Sequence, residues 1–196
     1  MVLPQDFLDS MAWDVAISGI LLAAAAITLR YKPATALIEE KERHLRLGFA
    51  AAIASCGSYL LLSGLIISFT WPFAISSGVY NVLFGGIATL GGLVLLAGAI
   101  VLFFNANPRP VSYFATVVGL YGVVDAYAIL TYGLTSSPLL SALGYLSFVA
   151  PALLSIPAAH LENKLWKRLF IVFLILFAVA WLYQAANFTF GHLNPS

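Results

Sequence analysis

Asp125 interrupts an apolar run of the chain, Gly122-Val123-Val124-Asp125-Ala126-Tyr127. A carboxyl in such a place has two uses. It takes up and releases a proton or cation as a coupling group, or it stays neutral and ties helices together through hydrogen bonds. A charge at a helix centre costs about 2.5–3.5 kcal/mol on the insertion scale, and neighbouring Val, Leu and Ile residues offset it at about 0.3–0.6 kcal/mol each. The helix therefore inserts under either use. Tyr121, four residues earlier, and Tyr132, seven later, fall on the same helical face, so Asp125, Tyr121 and Tyr132 form a candidate ion or proton site. Asp14, near the start of the first apolar run, and Tyr80-Asn81, at the start of the third, are candidates for a polar outer pocket shared with Asp125. Each also has a local explanation: Asp14 as a headgroup-level carboxylate, Asn81 as the N-cap of its helix.

Other chemistries have less to work with. His44 follows Glu40 by four residues and His160 ends an apolar run, but closed metal sites need three or four ligands, and no CxxC or HExxH pattern occurs. No metal site is assigned. Aspartyl proteolysis within the membrane needs two carboxylates sharing a proton, and the run around Asp125 supplies one. There is no GxSxG elbow, P-loop or dinucleotide fingerprint, so no catalytic residue is named. Cys56, the only cysteine, reads as a small apolar side chain. The cofactor is left unknown, because quinone, haem or lipid can sit between apolar helices without a motif.

The elements that must position these residues follow from composition. Of 196 residues, 62% are hydrophobic and 9% charged, where soluble domains carry roughly 25% charged residues. The chain is better counted in spans of about 20 apolar residues. Such windows run over 11–29, 48–69, 81–104, 111–132, 139–159 and 169–187. They are continuous rather than alternating, which excludes a membrane β-barrel and predicts an all-α bundle of six transmembrane helices forming one domain over residues 1–196. A secretory signal would begin with basic residues, whereas Asp6, Asp9 and Asp14 precede the first cation, Arg30; the first helix is expected to be retained.

All nine cations fall in alternate loops: Arg30, Lys32, Lys41, Arg43 and Arg46, then Arg109, then Lys164, Lys167 and Arg168. The positive-inside rule then predicts that both termini face away from the cytoplasm, in the cell membrane. Trp13, Trp71 and Trp181 fall near the outer boundary and Trp166 near the inner one, as interfacial anchors would. Gly85, Ala88, Gly92 and Ala99 make a small-residue stripe that predicts a close-packed helix 3 at the bundle centre. Pro151 and Pro157 predict a kink or an unwound segment in helix 5. The mixed-sign run Glu39-Glu40-Lys41-Glu42-Arg43 reads as a solvated helix face or a docking surface. Asn187-Phe188-Thr189 matches a glycosylation sequon but lies too close to the bilayer for modification to be expected.

Thr70-Trp71-Pro72, followed by Tyr80-Asn81-Val82-Leu83-Phe84-Gly85, resembles a family of uncharacterised archaeal and bacterial integral membrane proteins in which a Trp-Pro loop leads into a Tyr-Asn-x-Leu-Phe-Gly helix start. The specific match covers about sixteen residues, and Gly86 departs from the acidic or polar residue expected after the glycine. The resemblance implies a fold and carries over no catalytic residues. The apolar loop Trp71-Pro72-Phe73-Ala74-Ile75 is expected to fold against the outer membrane surface or cap the bundle. Minimal loops and small-residue faces point to a structural or accessory subunit of a membrane assembly, whose partners are the lipid bilayer and other membrane subunits or further copies of itself, not nucleic acid. The alternative is a proton- or cation-coupled transporter or channel for a small solute, using Asp125. An enzyme acting on lipid fits less well, for want of a nucleophile and base.

Overall fold

A computed structural model of the chain describes residues 4–29, 36–73 and 78–193. Those residues form α1 (Pro4–Thr28), α2 (Ala36–Thr70), α3 (Val79–Phe104), α4 (Arg109–Tyr132), α5 (Pro138–His160) and α6 (Lys164–Leu193), with no strand among them. All six are long and apolar enough to cross a membrane. Helices are what an apolar chain must form there, because every backbone N–H and C=O has to be satisfied within its own segment.

The helices run longer than the apolar windows. α1 begins seven residues before Met11, since acidic residues such as Asp9 favour the positive N-terminal end of a helix. α2 has 35 residues, about 52 Å against a hydrocarbon core of about 30 Å, so the mixed-charge turns around Lys41 continue the helix beyond its apolar part. The helix ends have identifiable causes. Asn105 (φ 50°) and Gly133 (φ 60°) close α3 and α4 in the left-handed conformation. Pro110 and Pro138 sit in the first turns of α4 and α5, and the Asn163 side-chain oxygen accepts the Leu165 N–H at 2.8 Å as α6 opens. α5 runs unbroken through Pro151 and Pro157, so the expected unwinding does not occur. The turn between the prolines is tied to α4 instead: the Ser155 hydroxyl lies 3.0 Å from the Ser112 carbonyl, and the Thr116 hydroxyl 3.1 Å from the Ala152 carbonyl.

Consecutive helices are neighbours, and α6 returns to pack on α1, closing a ring. Three intimate pairs, α2–α3, α4–α5 and α6–α1, alternate with the looser seams α5–α6, α1–α2 and α3–α4. Small residues make the intimate pairs. A Cβ on Gly64 would lie 2.4 Å from the Thr89 amide nitrogen, and one on Gly92 would lie 2.5 Å from that of Leu61, so α2 and α3 approach backbone to backbone. Gly119 and Gly122 receive Ala152 and Phe148 of α5, and Gly19 receives Ala178 of α6. The predicted stripe on α3 is thus used, but helix 3 is not central. It is one wall of a ring, because its small face is spent on α2.

The up-and-down order puts the start of α1, the end of α6 and the α2–α3 and α4–α5 loops on one face, here called terminal. The opposite, basic face holds every described cation: Lys41, Arg43, Arg46, Arg109, Lys164, Lys167 and Arg168. Arg30 and Lys32, and residues 74 and 75 of the apolar loop, lie outside the described residues.

Candidate functional site

The ring surrounds a cavity of about 1210 Å³ to which all six helices contribute. Along α1 and the turn that follows it, the wall extends from Leu8 to Leu29, about 31 Å at 1.5 Å per residue, close to the thickness of a bilayer core at about 30 Å. Most of the wall is apolar, with Val15, Leu22, Leu60, Ile87, Val94 and Phe148 among its side chains. Polar groups gather mainly toward the ends, with the Ser18 hydroxyl an exception midway along α1. Tyr80, Thr135, Ser141, Gln184 and Asn187 line the terminal end, and Ser112, Ser155 and Lys167 the basic end. Gly91 and Gly98, seven residues apart on the α3 wall, have nothing within 4 Å of an added Cβ, so their missing side chains keep the wall recessed.

Asp125 is 7% exposed, and its Oδ2 is buried without a hydrogen-bond partner. It is not on the cavity wall; α4 reaches that wall through Val111, Ser112, Ala115 and Val118. Asp125 instead sits behind it, in electrostatic contact with the phenols of Tyr121 and Tyr145. The Tyr121 hydroxyl fills the space Gly86 leaves on α3, 2.6 Å from where a Cβ would be, and the buried Tyr145 hydroxyl donates to the Leu83 carbonyl at 3.1 Å. Around them Leu83, Ala126, Ile129 and Ala142 form a compact core joining α3, α4 and α5. Tyr132 does not take part: it is the last residue of α4, 72% exposed, where no neighbouring helix covers it.

The outer-pocket candidates also separate. Because α1 starts at Pro4, Asp14 lies ten residues inside it, about 15 Å along the axis, and six residues past the start of its apolar span at Leu8. Its carboxyl faces the Cys56 thiol of α2, which is also beside Ser18. α1 stands across the ring from α4, so Asp14 and Asp125 do not converge. Asn81, 1% exposed, is not an N-cap; Gly78 holds that position. Its side-chain oxygen accepts the Phe73 N–H at 3.1 Å, and its amide donates to the carbonyls of Phe73 (3.3 Å) and Gly78 (3.2 Å), clamping the two ends of the loop. Tyr80 reaches the cavity wall, its ring packed edge-on against Phe73 at 5.9 Å and tilted against Phe84 at 5.8 Å.

Trp181 is not an interfacial anchor. It turns inward onto the cavity wall, where its indole donates to the Gly144 carbonyl at 3.2 Å. Trp13 stays partly exposed and donates to Thr189 of the Asn187-Phe188-Thr189 sequon at 2.9 Å. Gln184 escaped the sequence reading altogether. It lines the cavity at 4% exposure, its amide donating to the Leu140 carbonyl at 2.7 Å and its Oε1 buried without a partner. The available signal was an amide standing in the apolar run Leu169–Asn187, which costs free energy unless it is used.

No curated protein and no solved structure matches the chain. The family described as "Protein of unknown function (DUF981)" matches residues 1–195, as the Trp-Pro and Tyr-Asn resemblance anticipated at the level of an uncharacterised membrane family. The chain belongs to that family.

Proposed function

We propose that this multi-pass membrane protein binds an elongated, largely apolar molecule within its ring of helices, as a carrier or store of a lipidic compound. The observation that carries the reading is the cavity, about 1210 Å³ and as long as a bilayer core, with a mostly apolar wall and most of its polar groups toward the ends. A wall of that kind holds water poorly and suits a hydrocarbon chain. With seven described cations on one face and none on the other, we place the termini outside the cell membrane.

The accessory-subunit reading loses part of its motive, since the small-residue faces are occupied within the molecule itself. Solute transport coupled through Asp125 would need a route to a carboxyl that stands behind the cavity wall. The test uses Trp181, which lines the cavity. In a variant with Trp13, Trp71 and Trp166 replaced by Phe, reconstituted in lipid nanodiscs, brominated hexadecane should quench Trp181 fluorescence saturably. Quenching that rises only linearly with probe, as for a tryptophan facing bulk lipid, would count against the reading.

A further inference from the structure

The two ends of the cavity differ in chemistry. The terminal end is lined by hydroxyl and amide groups without an acid or a cation, whereas the basic end carries Lys167. Two terminal-end groups have unused hydrogen-bonding capacity. Gln184 is more than nine-tenths buried, and its amide N–H on the Leu140 carbonyl fixes the orientation of the group and leaves Oε1 as an acceptor with no donor. Thr135, on the loop five residues before Leu140, has a buried Oγ1 that is likewise unpartnered. Oε1 can only accept, whereas the Thr135 hydroxyl both donates and accepts, so one ligand hydroxyl that donates to Gln184 and accepts from Thr135 meets both, and an ionised carboxylate, which has no O–H, leaves Oε1 unmet.

We infer that the terminal end of the cavity is the headgroup subsite for a neutral, hydroxyl-bearing amphiphile, a long-chain alcohol, bound with its O–H on Gln184 and Thr135 and its chain running toward Lys167. This rests on the lipidic-cavity reading above. Trp181, one turn before Gln184 on α6, reports occupancy of this end.

Brominated hexadecane is bound to the Trp181-only protein in nanodiscs and displaced by hexadecanol or by hexadecanoate. Hexadecanol should displace the probe at about tenfold lower concentration, the scale of one or two hydrogen bonds recovered from unpaired groups. Gln184→Leu and Thr135→Val should each shrink that preference several-fold while brominated hexadecane still quenches. The threonine variant keeps the side-chain shape, so it retains the test if the glutamine variant folds poorly. Equal displacement by the two ligands, or stronger displacement by hexadecanoate, would overturn the headgroup assignment and leave the cavity reading standing. Absence of saturable quenching by brominated hexadecane itself would overturn both.

Discussion

At the residue scale, glycines have opposite roles in two parts of one helix. Gly92 is a contact, and a methyl group there would press on the backbone of α2, whereas Gly91 faces open space. Gly92→Ala should therefore lower stability by about 1–3 kcal/mol, the usual cost of overpacking, and Gly91→Ala should be near neutral. Thermal unfolding of the two variants in the same detergent checks the contrast; similar melting temperatures would contradict it. Asn81→Ala strips three hydrogen bonds from the loop and leaves the Phe73 N–H unpaired, so a loss of about 1–3 kcal/mol is expected in the same assay. Asp125→Asn should leave both stability and saturable quenching of Trp181 intact, because the carboxyl stands behind the cavity wall and an amide of the same shape fits among Tyr121 and Tyr145. A variant that folds but no longer binds the brominated probe would return Asp125 to the functional site.

At the element scale, α5 stays helical through two internal prolines, and hydroxyl groups tie it to α4 between them. Replacing Thr116 by Val and Ser155 by Ala together removes those ties, and we expect α5 to loosen first, with faster hydrogen exchange over residues 152–160 than over α2 or α3. Uniform exchange across the helices would argue that the prolines are held by packing alone. The six helices were legible in the sequence because apolar length is a local property, and length is what a bilayer selects. Their ends were less so. α1 and α2 carry charged residues that a hydropathy reading assigns to loops, yet helical hydrogen bonding continues through them once the apolar part is anchored. The unwinding was misread because a proline's lost hydrogen bond is visible in sequence, and the cross-helix ties that accompany it are not.

At the scale of the whole molecule, the ring and its cavity were not legible, because they depend on which face of each helix meets which neighbour. The stripe Gly85-Ala88-Gly92-Ala99 announced close packing, but only the complementary Gly57 and Gly64 show that the partner is α2 and that α3 is left in the wall of a ring. Asp125 was conspicuous by its charge; Gln184 and Trp181, which line the cavity, were hidden by being merely polar or aromatic. The charge asymmetry yields its own check. Cys56 is buried, so Ser136→Cys on the terminal face and Asn107→Cys on the basic face can each be labelled selectively. An impermeant maleimide added to intact cells should modify the first and spare the second, and the reverse pattern would invert the topology. The cavity itself is tested most directly by native mass spectrometry of the protein taken from its own membrane in polymer-bounded nanodiscs, beside the Gly91→Phe/Gly98→Phe variant that fills the recessed wall. We expect a discrete lipidic mass on the wild type that is lost from the folded variant; a wild type with no such mass, or a mass retained equally by both, would contradict a ligand held inside the ring.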